Sequence, residues 1–281
     1  MELTQRLQAL LSGMGADLVG FGDVTGLAPD GYKTAVVAAI ALPPDIIDDI
    51  PIGPTPAYLD IYSDYNRRLD EMSDAAAALL EREGFRTLSL NRAHAPWDLE
   101  TMAAPFPHKT AATRAGLGWI GKCALLVTPA YGAAVRLTVT LTDAPLEVAQ
   151  PITASRCGSC TACMDACPMG AISDTETETV TVCGKSFEIA KIDYNKCRIC
   201  QNGAVVNRFI ESGKPDRVAA LCNRTCLCSL EERKALTNQF NNPFRTSEVW
   251  SIGGKDQKVD RSDEQANVLG GCFSKTGKRG H

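Results

Sequence analysis

Four cysteines fall at Cys157-x2-Cys160-x2-Cys163-x3-Cys167, and Pro168 follows the last of them. Three thiols this close can face one metal group around a single loop, while the fourth points away from it. This is the bacterial [4Fe–4S] spacing, in which the fourth thiolate serves a second cluster. A zinc site would more often draw on separated cysteine pairs. Two clusters require eight thiolates. Downstream stand Cys197, Cys200, Cys222, Cys226 and Cys228, one more than the four still needed. The arrangement assigns Cys157, Cys160 and Cys163 with Cys228 to one cluster, and Cys167 with Cys197, Cys222 and Cys226 to the other. Cys200 is the rival for a place. Cys123, Cys183 and Cys272 are singletons. Cys123 opens a strand and reads as a small core residue; Cys183 reads as part of a hairpin, and Cys272 lies in the tail.

A second constellation is Arg114-Ala-Gly-Leu-Gly-Trp-Ile-Gly-Lys122. Three glycines permit close backbone approach to a flat ligand and allow positive φ. Trp119 adds a large apolar surface. The plainer reading of the same residues is a tight turn around a core tryptophan. The chain has three histidines, His94, His108 and His281. His108 precedes the helical stretch Lys109 to Arg114, and a histidine there titrates near neutral pH and can act as a general acid.

The elements that must hold these residues follow from periodicity. Leu3, Leu7, Leu10, Leu11 and Met14 recur at helical spacing. Leu18 to Val24 reads as a strand, and the apolar run Thr34 to Leu42 as a buried strand. Five prolines in residues 43–56 predict a loop. Tyr58, Ile61, Tyr65, Leu69, Met72, Ala76 and Leu79 mark a long helix that ends at Gly84, and Phe85 to Leu90 reads as a strand. Val135, Leu137, Val139 and Leu141 alternate with polar residues, which predicts a strand paired to Ala124–Val127 through the turn at residues 129–132. An α+β domain over residues 1–150 results, followed by a cysteine-dense segment over 151–242 that needs its metal to fold, and a polar tail over 243–281.

Composition is ordinary for a chain with a core. Of 281 residues, 44% are hydrophobic and 22% charged, which excludes a disordered or collagen-like chain. The net charge of −4 gives no basic excess for a nucleic-acid backbone. The longest apolar run, Ala35 to Leu42, is far too short to cross a bilayer. The start, Met1-Glu2-Leu3, has no secretory pattern. A cytoplasmic protein with metal-binding thiols is expected, and no membrane partner.

The segment Arg114–Lys122, the hairpin after it and the cysteine run together resemble the epoxyqueuosine reductase family of cobalamin-dependent iron–sulfur proteins, which is distantly similar to reductive dehalogenases. The resemblance implies a modified nitroreductase-like N-terminal domain holding a corrinoid, and a bacterial-ferredoxin-like domain whose two [4Fe–4S] clusters supply its electrons. It implies that Gly116, Leu117, Gly118, Trp119, Ile120, Gly121 and Lys122 contact the corrinoid. It also implies a low-potential donor such as ferredoxin or flavodoxin, with transfer RNA as a partner if the chain is true to the family. Two positions depart from the pattern. The family's proton-donating acid aligns with Met102, and its Glu-Arg pair appears as His108-Lys109. Methionine cannot donate a proton, so a different substrate is expected, with His108 as candidate replacement acid. The alternatives are an electron-transfer module that reduces or reactivates a corrinoid or other partner protein, a regulatory cluster protein, and flavin in place of the corrinoid.

Overall fold

The computed structural model describes residues 2–29, 31–50, 55–91, 104–199, 204–206, 215–217 and 221–238. Its elements run α1 (Leu3–Gly13), β1 (Leu18–Asp23), β2 (Thr34–Ala41), α2 (Pro44–Asp48), α3 (Pro56–Arg82), β3 (Thr87–Ser89), α4 (His108–Arg114), β4 (Trp119–Ile120), β5 (Leu126–Val127), β6 (Val135–Thr142), α5 (Ala162–Ala166), β7 (Ile172–Val182), β8 (Lys185–Ile192), α6 (Tyr194–Ile199), β9 (Ala204–Val206), β10 (Pro215–Arg217) and α7 (Leu221–Glu232).

The main sheet has the order β1-β2-β6-β3, with every pair antiparallel. Strand β2 is central and buried on both faces, which explains its unbroken apolar run. Val36, Ala38 and Ile40 face one way, into a core with Leu7 and Leu11 of α1 and Tyr58, Leu69 and Met72 of α3. Ala35, Val37 and Ala39 face the other way, against Ala111, Ala112 and Ala115 at α4. Gly22 of β1 makes that second contact close: a Cβ there would stand 2.7 Å from the Ala115 nitrogen. The N-terminal part is thus a sheet between helices, the mixed α and β architecture that the alternation of periods predicts.

Two expectations change. The proline-rich stretch is not all loop: Pro44 opens α2 and Pro56 opens α3, where a missing N–H costs nothing. The strand over 135–142 is present but does not pair with residues 124–127. It pairs with β2 and β3, while β5 pairs with β4. The alternation misleads because the threonines of β6 are buried. Thr140 shares a 2.9 Å hydrogen bond with Ser73 of α3, and the Thr142 hydroxyl donates to the Arg86 carbonyl at 2.9 Å.

Residues 145–157 are irregular. Ala149 N–H donates to the Phe21 carbonyl and Ile152 N–H to the Thr113 carbonyl, which lays the segment along β1 and α4. Beyond it, β7 and β8 form a hairpin closed by Cys183 and Gly184, both at positive φ (50° and 74°). That is the backbone of a two-residue primed turn. Helix α7 returns to the first core, where Leu227 and Cys228 pack with Tyr58 and Leu59. The polar tail expected over 243–281 lies outside the described residues, as do His94, Met102, Cys200 and Cys272.

Candidate metal centre

Helix α7 carries cysteines at 222 and 226 and a serine at 229. These are spaced i, i+4, i+7 and so share one face. Helix α5 and the loop before it bring the ferredoxin-type run to that face. The Cys160 sulfur lies 3.3 Å from the Ser229 hydroxyl. Cys157 and Cys226 both pack against a buried group of Trp119, Val127, Ala133 and Leu230. Cys163 sits in α5, whereas Cys167 follows the helix in extended backbone. A backbone N–H from Ala171 donates to the Cys167 sulfur at 3.2 Å. Burial, then the neighbouring thiols Cys123, Cys197, Cys167 and Cys163, push the Cys222 thiol well above its ordinary range. Cys167 is likewise an electrostatic neighbour of Cys197 on α6.

Two thiol groups result. Cys157 and Cys226 pack against the Trp119 layer, and Cys163, Cys167 and Cys222 pack with Cys123 in a second buried cluster; the rival Cys200 lies outside the described residues. Cys228 differs from expectation. It stands two residues after Cys226, about 200° around the helix, and is fully buried in the N-terminal core. The described contacts therefore bring Cys226, not Cys228, to the first group. Among the described residues no three His, Cys, Asp or Glu side chains converge as a single ion would require. A cube asks for something wider, one thiolate at each of four separate irons. The surroundings suit an anionic cluster. Lys122 Nζ donates to the Cys160 carbonyl at 3.1 Å, Arg233 reaches the Cys157 carbonyl at 3.5 Å, and the Arg156 guanidinium stacks 5.5 Å from the Trp119 ring centre. The indole N–H of Trp119, a residue 2% exposed, finds no acceptor among the described residues.

The Gly116–Lys122 segment is turned inward. A Cβ on Gly118 would lie 2.3 Å from the Val127 oxygen, one on Gly121 would lie 2.7 Å from the Val127 side chain, and one on Gly116 would lie 3.0 Å from the Gln150 oxygen. The chain itself fills the space that these glycines leave. Trp119 and Ile120 are buried, and only Gly116, Leu117 and Lys122 keep partial exposure. The segment thus forms the wall behind the first thiol group. A cavity of about 430 Å³ lies elsewhere, bounded by Asp17, Leu42, Tyr65, Arg68 and Tyr131.

His108 opens α4. Its Nδ1 lies 2.8 Å from the Phe106 carbonyl oxygen. Burial lowers its pKa, opposed by hydrogen bonds to the carbonyls of Phe106 and Leu90. The Nδ1 contact closes the turn that leads into α4. Lys109 is the residue that sequence reasoning missed. Its ammonium donates to the Ala124 carbonyl at 2.5 Å; burial pulls its pKa down, and the charge of Cys123 opposes that shift. Cys123 was also missed. It is not a bystander of the core: it is buried beside Cys163, with Cys167 and Cys222 packed against the same cluster. Distance along the chain hid it, since 34 residues separate it from the cysteine run.

A family model described as a 4Fe–4S binding domain matches residues 151–173. The epoxyqueuosine reductase of Synechococcus sp. (strain CC9605) is 40% identical over 111 residues, which cover 40% of this chain and 32% of that relative. The epoxyqueuosine reductase of Gloeobacter violaceus is 42% identical over 171 residues, covering 57% of this chain and 48% of the relative. The chain is related to the epoxyqueuosine reductases. It spans half or less of the length of these two relatives. Among solved structures, a reductive dehalogenase described as suggesting a mechanism for B12-dependent dehalogenation superposes with a TM-score of 0.63 at 21% identity, covering 93% of this chain and 36% of that one. An epoxyqueuosine reductase with an epoxyqueuosine-modified tRNA stem loop gives 0.50 at 20% identity, covering 90% and 70%. At such identities the likeness concerns the fold.

Proposed function

We propose that the chain is an iron–sulfur oxidoreductase that holds two [4Fe–4S] clusters and moves electrons singly between a low-potential donor and an acceptor. The observation that carries this reading is the packing of α5 against α7, which sets Cys157 and Cys226 against one buried layer and Cys163, Cys167 and Cys222 against another. When bound, a [4Fe–4S] cube supplies one-electron chemistry. Cys157, Cys160, Cys163 and Cys226 would hold the first, and Cys167, Cys197 and Cys222 the second, with Cys200 as its candidate fourth ligand. Lys122, Arg233 and Arg156 oppose the charge of the thiolates, and Trp119, Val127 and Leu230 keep water from the first group.

Two acceptors divide the reading. A corrinoid bound by this chain, with a nitroreductase-like residue 1–150 part around it, is supported by the relatives. The substrate would then differ from epoxyqueuosine, because Met102 stands where the family has its acid. A separate protein as acceptor is supported by the buried Trp119 and the chain-filled glycine positions, which offer no flat face. Anaerobic purification from a host fed cobalamin, with iron, cobalt and flavin analysis, tests both. About eight irons per chain are expected; stoichiometric zinc or four irons would refute the two-cluster assignment. A cobalamin titration that changes neither the spectrum nor the melting temperature would leave the separate acceptor as the reading.

A further inference from the structure

The cleft of about 430 Å³ lies where the end of α1, the end of β2 and the middle of α3 meet. Its volume is that of a pocket for a small organic molecule. The floor is apolar: Ile40, Leu42 and Leu227 line it, belong to the first core and are each at most 3% exposed. The rim is charged. Arg68 arrives from α3, with its guanidinium 5.1 Å from the centre of the Tyr65 ring. It extends to the end of α1, where a Cβ on Gly15 would stand 2.5 Å from its Nη2, so any side chain at that position would displace it. Asp17 precedes β1 and is exposed. One of its carboxylate oxygens accepts from the Ala41 N–H at 2.7 Å. Neither Arg68 nor Asp17 has an ion-pair partner among the described residues. Gly15 and Asp17 are two residues apart, so their backbones lie within ~7 Å of each other, a span that one small molecule covers. Tyr65 and Tyr131 complete the lining. Burial raises the pKa of both phenols, which leaves them neutral donors near neutral pH.

We propose that this cleft binds a free α-amino acid with an apolar side chain. Arg68 receives the carboxylate, Asp17 the ammonium group, and Ile40, Leu42 and Leu227 the side chain. Two opposite charges border the cleft without pairing with each other, and that selects the ligand. A plain organic acid would satisfy Arg68 and set its charge against Asp17; a plain amine would do the reverse. A molecule with both charges on neighbouring atoms satisfies the two together. The guanidinium fork matches a carboxylate through two parallel hydrogen bonds, and the oxygen of Asp17 that Ala41 does not engage remains to accept from the ammonium group. Binding makes and breaks no covalent bond, and the inference does not depend on the cluster assignment.

The test is equilibrium binding of L-leucine and L-phenylalanine to the anaerobically purified chain, by calorimetry and by melting temperature. At least one of them should bind and raise the melting temperature. The matching acids without the amine, isocaproate and hydrocinnamate, and the matching amines without the carboxylate, isoamylamine and phenethylamine, should bind about tenfold more weakly or worse, the factor that a lost hydrogen bond to a charged group carries. Arg68→Gln and Asp17→Asn should weaken the amino acid by a similar factor. Their melting temperatures without ligand should stay near that of wild type, because both side chains stand at the rim and an asparagine oxygen still accepts from Ala41. Arg68→Lys keeps the charge without the fork and should restore part of the affinity, which a purely structural role of Arg68 would not produce. Failure of both amino acids to bind, equal affinity for either kind of one-charge analogue, or unaltered affinity in Arg68→Gln and Asp17→Asn overturns the proposal.

Discussion

At the residue scale, the groups around the thiols separate charge from shape. Lys109 keeps an ammonium where burial opposes it, held by the Ala124 carbonyl and by the proximity of Cys123. A cation beside a cluster favours the reduced, more negative state, and a donated hydrogen bond acts in the same direction. Lys109→Met and Trp119→Phe should therefore each make the potential of the first cluster more negative by tens of millivolts, ~59 mV being a tenfold change for one electron, with iron content unchanged. An electrochemical titration of both variants checks this; an unmoved potential would mean that neither group faces the cluster. His108 concerns stability. Its folded pKa lies below its ordinary value of about 6.5 because the ring is buried. As pH falls past the unfolded value, the unfolded chain takes up a proton that the folded ring resists, so stability present at higher pH is lost on acidification. Melting temperatures between pH 8 and 5 should fall less steeply in His108→Gln than in wild type. Parallel curves would show the ring to be freely protonated in the fold.

At the scale of elements, α7 joins two regions through its two faces. Cys222, Cys226 and Ser229 meet the thiols, while Leu227 and Cys228 enter the N-terminal core. Polar anchors fix its rotation. The fully buried Arg224 guanidinium pairs with the Asp48 carboxylate at 3.1 Å and takes the Asp48 carbonyl as well, and the Asn223 amide donates to the Tyr58 hydroxyl at 3.1 Å. Removing one partner of a buried pair leaves the other charge uncompensated. Asp48→Asn should cost about 3 kcal/mol, the lower end of that range because Asp48 is partly exposed. Chemical denaturation measures it, and a loss under about 1 kcal/mol would show that water screens the pair. The β4–β5 hairpin has a steric anchor. Gly118→Ala places a methyl against the Val127 carbonyl, a backbone atom that cannot rotate away. Overpacking of this kind costs typically 1–3 kcal/mol, and the upper end is expected. An alanine variant as stable as wild type would mean that β5 shifts at little cost.

At the scale of the whole molecule, local spacing was legible and long-range pairing was not. The helices at Leu3–Gly13 and Pro56–Arg82 and the strand Thr34–Ala41 follow from periods of 3.6 and from an unbroken apolar run. The partner of β6 did not, because Thr138, Thr140 and Thr142 read as solvent-facing when α3 covers them. The run Cys157–Cys167 announced its chemistry, since one loop holds it. Cys123, Lys109 and the choice between Cys226 and Cys228 depend on which face of α7 turns inward and on a turn 34 residues upstream, neither of which a linear spacing contains. That same placement of α7 yields a prediction for the entire chain. Thiols held without metal repel one another once ionised, and metal binding supplies folding free energy to the segment that carries them. If α7 is held in register by cluster ligands at Cys222 and Cys226, stripping the iron frees the helix, and with it Leu227, Arg224 and Asn223 leave Tyr58, Asp48 and Leu59. The N-terminal sheet should then loosen although it contains none of the ligands. Hydrogen exchange on iron-loaded and iron-stripped protein should show faster exchange not only over residues 157–197 and 221–232 but also in α2 and the first half of α3. Unchanged protection of α2 and α3 after complete iron removal would show that the polar anchors alone hold α7 in place and that the two regions fold independently.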